Sequence, residues 1–335
     1  MKKNIKLKKV ILTVCIGSLG LTSFVEALPN IQNENLIEQV VLKKKTLTTY
    51  RTNNSLNLDK ASVQKRIVQL EDYLNVDMNN REVRNRGNKL VVKNDNGNSF
   101  IEIDSRSGNF LYKGDMTKYN SEETTANLLD KKETVKMFYT HLNNLDLMPK
   151  KEELGTIEHT GLNVSVRKEN GKSFDYKKTT AVMINRKLDG LPVQGSSRIF
   201  INMGSNGEIS NMVYKWPAIE KSTTIASKNV INADVLKKSI VTQLEKRAAN
   251  ASKITLEKIN LVMYDSGKGL IEPAYYVEAK LFFKDGKSSY NTPYDFYIPA
   301  INNPQIVYPL MSKPPVQPMK ADKKADNNTI MDNNE

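Results

Sequence analysis

Three stretches of the chain repeat their apolar residues at helical spacing. In residues 61–74 the apolar positions follow intervals of four, three and four, which places them on one face of a helix. Asp130 and Glu133 are spaced as a capping box, so a second helix is expected to begin there. Asn232 is a residue type that favours helix N-caps and predicts a third helix that ends near Lys246. The apolar positions of the first helix are Val63, Ile67, Leu70 and Leu74.

The remaining apolar residues follow strand-like patterns that are separated by turns rich in Gly, Asn and Asp. Asn94-Asp95-Asn96-Gly97, for example, lies between two short apolar runs, which is typical of a β-hairpin. Short turns of this kind require neighbouring strands to pair antiparallel. The expected strands are residues 89–93, 99–103, 109–113, 163–167, 179–188, 198–203, 208–215, 258–264, 271–283 and 294–298.

Each predicted helix is followed along the chain by a group of predicted strands. Helices interleaved with antiparallel hairpins are typical of α+β folds. We therefore predict an α+β protein, mostly antiparallel, that consists of repeated modules of one helix and one antiparallel sheet. A polar leader segment is expected to contain one edge strand at Ile37 to Leu42. The predicted divisions are a signal peptide (1–27), the polar leader segment (28–58), three modules (59–120, 121–225 and 226–312) and a disordered tail (313–335).

Residues 1–27 have the pattern of a secretory signal peptide. Five lysines precede an apolar stretch from Val10 to Val25, and the small residue Ala27 predicts cleavage before Leu28. The competing interpretation is a retained membrane anchor, but the apolar stretch is shorter than the roughly 20 residues that a spanning helix needs. We expect the protein to be secreted into the medium or associated with the cell surface.

The small number of cysteines and histidines limits which catalytic and metal-binding sites the chain can form. Cys15 lies in the signal segment, so the mature chain has no cysteine, which suits an exported protein of a Gram-positive bacterium. His141 and His159 are the two histidines, and the sequence contains neither a His-Glu-x-x-His nor a Gly-x-Ser-x-Gly motif. We expect structural roles for both histidines. The prediction is a protein that is not an enzyme, without catalytic residues, metal ligands or cofactors.

The charge of the chain is positive, with 50 Lys and Arg against 37 Asp and Glu and a net charge of +13. In the mature part, the only tight cluster is Lys43-Lys44-Lys45, and the remaining positive residues are dispersed. Dispersed charge predicts a solvated surface with weak attraction to anionic wall polymers. A nucleic-acid partner is not expected, because no basic stripe alternates with stacking aromatic residues.

Several short motifs resemble modules of known proteins. Ile101-Glu102-Ile103-Asp104, followed by Ser107-Gly108-Asn109-Phe110, is similar to the end of a PepSY module. Leu188-Asp189-Gly190-Leu191-Pro192-Val193 resembles the FTP/PepSY modules of secreted protease propeptides. Ile271-Glu272-Pro273-Ala274-Tyr275-Tyr276-Val277 resembles a strand of the same module, also seen in extracellular domains of YycH/YycI-type regulators of sensor kinases. The resemblance implies cystatin-like α+β modules, with extracellular proteases or envelope components as partners.

The candidate binding residues come from these motifs and from the aromatic residues. Trp216 is a residue type enriched at binding anchors. The alternative is a structural role, in which a Trp before Pro217 packs at the end of a strand and covers the sheet edge. Tyr276 belongs to an aromatic-rich region at 275–297, which forms either core packing or a recognition surface. The candidate binding residues are Leu191, Pro192, Val193, Trp216 and Tyr276.

The leading hypothesis is a secreted, non-enzymatic protein that binds another protein or a peptide in the cell envelope or medium, as an inhibitor or chaperone does. The expected mode is strand addition at a sheet edge. The alternative is a secreted or surface effector, similar to a toxin, that binds wall polymers or a host membrane through its positive charge. Binding through dispersed charge weakens as ionic strength rises, whereas strand addition changes little. An enzyme is the least supported hypothesis.

Overall fold

The computed structural model describes residues 31–41, 46–53, 56–78, 84–168, 170–248, 250–285 and 288–308. The predicted signal peptide (1–27) and disordered tail (313–335) lie outside the described residues. The described residues form four α-helices and seventeen mostly antiparallel strands, so the predicted α+β class is confirmed, with more strand than helix. No helix in this part of the chain is both long enough and apolar enough to cross a membrane.

Apart from the expected edge strand at Ile37 to Leu42, the predicted helices and strands occur in the predicted order, and the structure adds one helix, α1 (Asn35–Val41), and several strands. The helices are α1 (Asn35–Val41), α2 (Lys60–Leu74), α3 (Lys131–Asn144) and α4 (Ala233–Glu245). The strands are β1 (Ile31–Gln32), β2 (Leu47–Thr52), β3 (Arg84–Arg86), β4 (Lys89–Lys93), β5 (Phe100–Asp104), β6 (Phe110–Lys113), β7 (Leu154–Thr160), β8 (Asn163–Arg167), β9 (Ser173–Lys177), β10 (Thr180–Leu188), β11 (Leu191–Gly195), β12 (Arg198–Met203), β13 (Ile209–Lys215), β14 (Ile219–Ile225), β15 (Lys253–Asp265), β16 (Leu270–Asp285) and β17 (Ser288–Pro299).

The strands form two half-sheets that are joined by the hairpin of β10 and β11. The first half-sheet has the order β7-β10-β12-β13-β6-β5-β4-β3, and its pairings are antiparallel. The second half-sheet contains β14, β2, β16, β15 and β11, with β17 paired to β16 and β1 paired to β15. In it, β1 and β11 run parallel to β15. β8 and β9 form a separate hairpin.

Helices α2 and α3 cover one face of the first half-sheet. The apolar residues that predicted α2 pack with Phe138 and Leu142 of α3 against the inward side chains of the strands. The predicted capping box is confirmed: Asp130 accepts a hydrogen bond from the Glu133 N–H at 2.8 Å, and Glu133 accepts one from the Asp130 N–H at 3.1 Å. The caps and the apolar spacing therefore set this layer of the fold.

Residues 31–41 and 46–53 pair in or pack against the second half-sheet, which corrects our prediction of a separate polar leader with an edge strand at Ile37 to Leu42. Ile37 lies in α1 and is buried in the core that α4 forms with this half-sheet. The physical reason is that Leu36, Ile37, Val40 and Val41 share one face of a helix, a spacing that a short apolar run also allows. The strand β2 follows α1 and pairs with β14 and β16.

Candidate binding groove at the edge of β15

One edge of β15 is only partly paired. β1 pairs with this edge at Ile254 and Thr255, and β11 pairs with it from Met263 to Asp265. Among the described residues, no strand pairs with the edge between those two contacts. The unpaired stretch, residues 256–262, is as long as an ordinary β-strand.

Two residues in this gap direct their main-chain groups outward. The Ser196 N–H donates to the Asp265 carbonyl at 3.0 Å across the same edge. The main-chain groups of Asp265 therefore point toward this edge of β15. Because main-chain groups alternate between the two edges of a strand, Ile259 and Leu261 direct theirs toward the gap as well. Among the described groups, none pairs with them. The alternation is interrupted between Leu256 and Lys258, where the pairing with β16 shifts register. Beyond this irregularity the Leu256 carbonyl accepts a hydrogen bond from the Asn33 side-chain amide at 3.0 Å, so the free positions are Ile259 and Leu261.

The gap forms the floor of a groove with a volume of about 710 Å³. One wall is α1, and the end is closed by the β10–β11 turn. Leu36, Val40 and Leu191 are half-buried, so their apolar surfaces extend the cores of the protein into the groove. The lining residues are Leu36, Gln39, Val40, Asp189, Leu191, Pro192 and residues 257–261.

The β10–β11 turn positions two of the predicted residues at the end of the groove. Asp189 and Gly190 have φ angles of 50° and 76°, the positive values that a two-residue hairpin turn requires. The turn therefore places Leu191 and Pro192 directly beside the floor of the groove. Burial, together with the hydrogen bond and negative charge of Asp189, raises the pKa of Tyr50, which packs below the turn.

The mouth of the groove is acidic. Asp189 and Glu257 are exposed, whereas the charge of Lys258 is offset by Glu278, with Nζ and Oε1 3.4 Å apart. The groove thus combines apolar walls, free main-chain donors and acceptors, and two exposed carboxylates. This arrangement suits an extended segment that carries apolar side chains next to a basic one.

Val193, the third predicted residue of this turn, lies behind the groove. It is fully buried and pairs with Met263, so it supports the turn and does not face a ligand. Gly195 at the end of β11 has a φ of 98°, and a Cβ there would lie 2.2 Å from the Asp265 carbonyl oxygen. Glycine at this position therefore allows β11 to approach β15.

Trp216 lies away from the groove and is only 8% exposed. Its ring centre lies 4.5 Å from the Arg186 guanidinium, and its Nε1–H donates to Glu153 Oε2 at 3.1 Å. This burial does not fit the exposed binding anchor that we predicted. It fits the alternative, a plug at the end of β13, because the indole packs against other side chains and its N–H has a partner.

Tyr276 also lies outside the groove, on the face of the second half-sheet that is opposite to α4. Its hydroxyl donates to Asp295 at 3.1 Å, and its ring packs against Tyr297. Burial and the nearby Asp295 raise the pKa of Tyr276. In the same aromatic region, core packing accounts for Tyr275 and Phe296, which are buried against α4.

Two components of the groove come from distant parts of the chain, and we did not predict either of them. Leu36 and Val40 belong to α1, which we interpreted as part of a polar segment. Ile259 and Leu261 lie in a predicted strand, but nothing in the sequence shows which strand edge stays unpaired. The sequence signal for α1 is the spacing of four residues between the apolar pair Leu36 and Ile37 and the apolar pair Val40 and Val41.

The two histidines lie outside the groove lining. His141 donates from Nε2 to the Gly207 carbonyl at 2.9 Å, and its Nδ1 accepts a hydrogen bond from the Tyr73 hydroxyl at 2.9 Å. Burial lowers the pKa of His141, so the neutral ring is the stable form in this position. Among the described residues, no group of three His, Cys, Asp or Glu side chains is arranged to hold a metal ion.

Comparisons with known proteins add one distant structural likeness. No protein-family model matches the chain, and no curated protein matches it. Among solved structures, the chain is similar to an uncharacterized protein from Eubacterium rectale, with 13% sequence identity and a TM-score of 0.46. The alignment covers 77% of this chain and 84% of that chain.

Proposed function

We propose that the protein is a secreted, non-enzymatic protein that binds an extended segment of another protein at the edge of β15. The observation that supports this most directly is that Ile259 and Leu261 have no partner strand on the outer edge of β15 among the described residues and line a groove with apolar walls. A peptide strand between β1 and β11 would complete the ladder on this edge. Strand addition uses main-chain hydrogen bonds for affinity and side-chain pockets for selection.

Main-chain hydrogen bonds alone do not provide useful affinity at this site. Two residues offer about four hydrogen bonds, and a neutral hydrogen bond contributes about 1 kcal/mol net. A sum of about 4 kcal/mol corresponds to a dissociation constant of about 1 mM. Apolar contacts with Leu36, Val40 and Leu191 must therefore supply the remaining affinity. The side chains of the bound segment then decide which partner binds.

The partner that we propose is an extracellular protease or envelope protein with an exposed apolar segment. The similarity of residues 188–193 and 271–277 to propeptide modules supports a partner that is inhibited or assisted in folding. The exposed carboxylates of Asp189 and Glu257 favour a segment with Lys or Arg beside its apolar residues.

Peptide selection followed by hydrogen exchange tests this proposal. A phage-displayed library of random peptides, each about ten residues long, is selected on the full chain. We expect slower exchange of the Ile259 and Leu261 amide hydrogens in the resulting complex, because both gain hydrogen-bond partners. Binding that leaves both amides unprotected would contradict strand addition at this edge.

A pair of matched variants locates the binding site. Leu191→Lys places a charge at the end of the groove and should weaken peptide binding by about tenfold or more. Phe174→Lys makes the same type of change at a side chain that is 44% exposed on the β8–β9 hairpin, and binding should stay within about twofold. A steep loss of wild-type affinity with rising salt would instead favour the charge-based alternative.

A further inference from the structure

A second pocket, distinct from the groove, lies between the first half-sheet and the β15–β16 turn. Its volume is about 470 Å³. Leu111 and Val213 contribute half-buried apolar surface from the sheet face opposite to α2 and α3, since their neighbours Tyr112 and Met212 point into the core. The charged lining residues are Lys89, Glu102, Asp104, Arg198 and Lys215.

Two cations lie side by side in this pocket without an acidic partner. Arg198 of β12 and Lys215 of β13 are directly opposite each other in the strand register, and both are half-buried. Like charges in opposite positions destabilise a sheet. Among the described residues, no carboxylate lies within ion-pair distance of either side chain. Burial and the charges of Arg198 and Lys89 lower the pKa of Lys215.

The nearby carboxylates already have other partners. Glu102 accepts a hydrogen bond from Lys89 at 2.6 Å. Asp104 accepts from two main-chain N–H groups of its own turn. Asp265 accepts from a buried serine hydroxyl at 2.5 Å and from a glycine N–H at 2.8 Å. Glu102 and Asp265 therefore offset the charge of Lys215 only from a distance.

We propose that this pocket binds an oxyanion, presented by a phosphate, sulfate or carboxylate group of an extracellular ligand. An oxyanion between Arg198 and Lys215 would replace their repulsion with charge-assisted hydrogen bonds. Arg198 uses Nη1 for the Gly195 carbonyl at 3.0 Å, which leaves its other N–H groups for the ligand. Leu111 and Val213 provide an apolar surface for the body of the ligand.

Calorimetric titration of the full chain with sodium phosphate, sulfate and acetate in a chloride buffer tests the site. We expect saturable binding that Lys215→Met weakens by about tenfold or more, because a hydrogen bond to a charged group contributes at least that factor. The matched control is Lys113→Met on β6, which removes an exposed lysine from the same sheet face outside the pocket, and its binding should stay within about twofold of wild type. The order of the three anions distinguishes phosphate or sulfate esters from carboxylates.

A second pocket variant and a measurement of thermal stability test whether the anion binds specifically in the pocket. Arg198→Gln should reduce the affinity as Lys215→Met does, because both groups contact the same anion in the proposal. Sulfate also stabilises proteins in general through exclusion from their surface. An equal affinity or equal thermal stabilisation in wild type and both pocket variants would overturn the proposal, as would the absence of saturable binding below about 10 mM.

Discussion

Two cationic sites in the first half-sheet differ in how their charge is compensated. Arg186 is only 1% exposed, yet its Nε lies 3.2 Å from Glu153 Oε2 and its guanidinium faces the Trp216 ring. Arg198 and Lys215 are less buried, but each has a cation as its cross-strand neighbour. The more deeply buried charge is therefore the one with the nearer partners.

The two sites show how a structural charge differs from a charge that is available to a ligand. Removing a charge from water costs free energy, and an ion pair or an aromatic ring inside the protein compensates part of that cost. For Arg186, Glu153 and Trp216 provide this compensation when the chain folds. Arg198 and Lys215 gain less from the folded protein, because Arg198 donates only to the Gly195 carbonyl and Glu102 and Asp265 act on Lys215 from a distance. This is why we propose an anion there.

Removing the carboxylate beside Arg186 should reduce stability more than any other substitution that we propose. Glu153→Gln leaves the Arg186 charge buried without its carboxylate, and we expect the free energy of unfolding to fall by about 3 kcal/mol. Urea denaturation measures this change. Glu152→Gln, at the exposed neighbouring position, is the matched control and should change it by less than about 0.5 kcal/mol. Equal losses in both variants would show that the Arg186 site gains nothing from its partner.

The histidines present the same contrast at smaller magnitude. Both ring nitrogens of His141 have partners, whereas the buried Nε2 of His159 has none among the described residues. We expect His141→Gln to lower the free energy of unfolding by about 1–2 kcal/mol, since it disrupts two partly buried hydrogen bonds. His159→Gln should change it little, because no hydrogen bond of the ring is lost. A larger loss in His159→Gln would contradict this assignment.

The pH dependence of stability tests the same assignment. Burial lowers the pKa of His141 below its ordinary value of 6.5, so the unfolded chain takes up the proton first as pH falls. The stability from neutral His141 is therefore complete above about pH 6.5 and decreases below it, toward the folded-state pKa. Thermal unfolding from neutral to mildly acidic pH should show a shallower decrease in His141→Gln than in wild type. Parallel curves would contradict the lowered pKa.

Much of the fold was predictable from the sequence, because helices and hairpins depend on local residues. The capping box at Asp130 and the spacing of Val63 and Ile67 each identified a helix that the structure confirms. The groove was not predictable in the same way. It brings together α1, the β10–β11 turn and β15, which are far apart along the chain, and α1 was interpreted as part of a polar leader.

The proposed anion pocket shows why strand register limits prediction from sequence. Arg198 and Lys215 lie in two predicted strands of one hairpin, but the register shifts between Asn202 and Met203. An irregularity of this kind changes which residues are opposite each other, and the turn residues alone do not reveal it. The predicted anchor Trp216 illustrates the same limit, since its burial depends on Arg186 from another strand.

One substitution at the uncompensated pair, Arg198 and Lys215, is expected to stabilise the protein. Lys215→Met removes the repulsion with Arg198, and in a buffer without oxyanions we expect the free energy of unfolding to rise by about 0.5 kcal/mol. Because the folded-state pKa of Lys215 is lowered, its unfavourable contribution is complete below that pKa and is lost as pH rises toward the ordinary value of 10.5. The advantage of Lys215→Met should therefore shrink at high pH. An advantage that is constant with pH would point to packing of the methionine instead.

The smallest effect on stability is expected at the groove, where the outward main-chain groups of Ile259 and Leu261 have no partner strand in the part of the chain that the structure describes. Leu191→Lys should change the free energy of unfolding by less than about 0.5 kcal/mol, because the long side chain can keep its ammonium in water. Val193→Ala, two residues along the same strand, should lower it by about 1–2 kcal/mol, because Val193 is fully buried. Thermal denaturation of both variants measures the difference. If Leu191→Lys lowered the free energy of unfolding as much as Val193→Ala, Leu191 would be a core residue. That result would contradict its assignment as the apolar end wall of the groove.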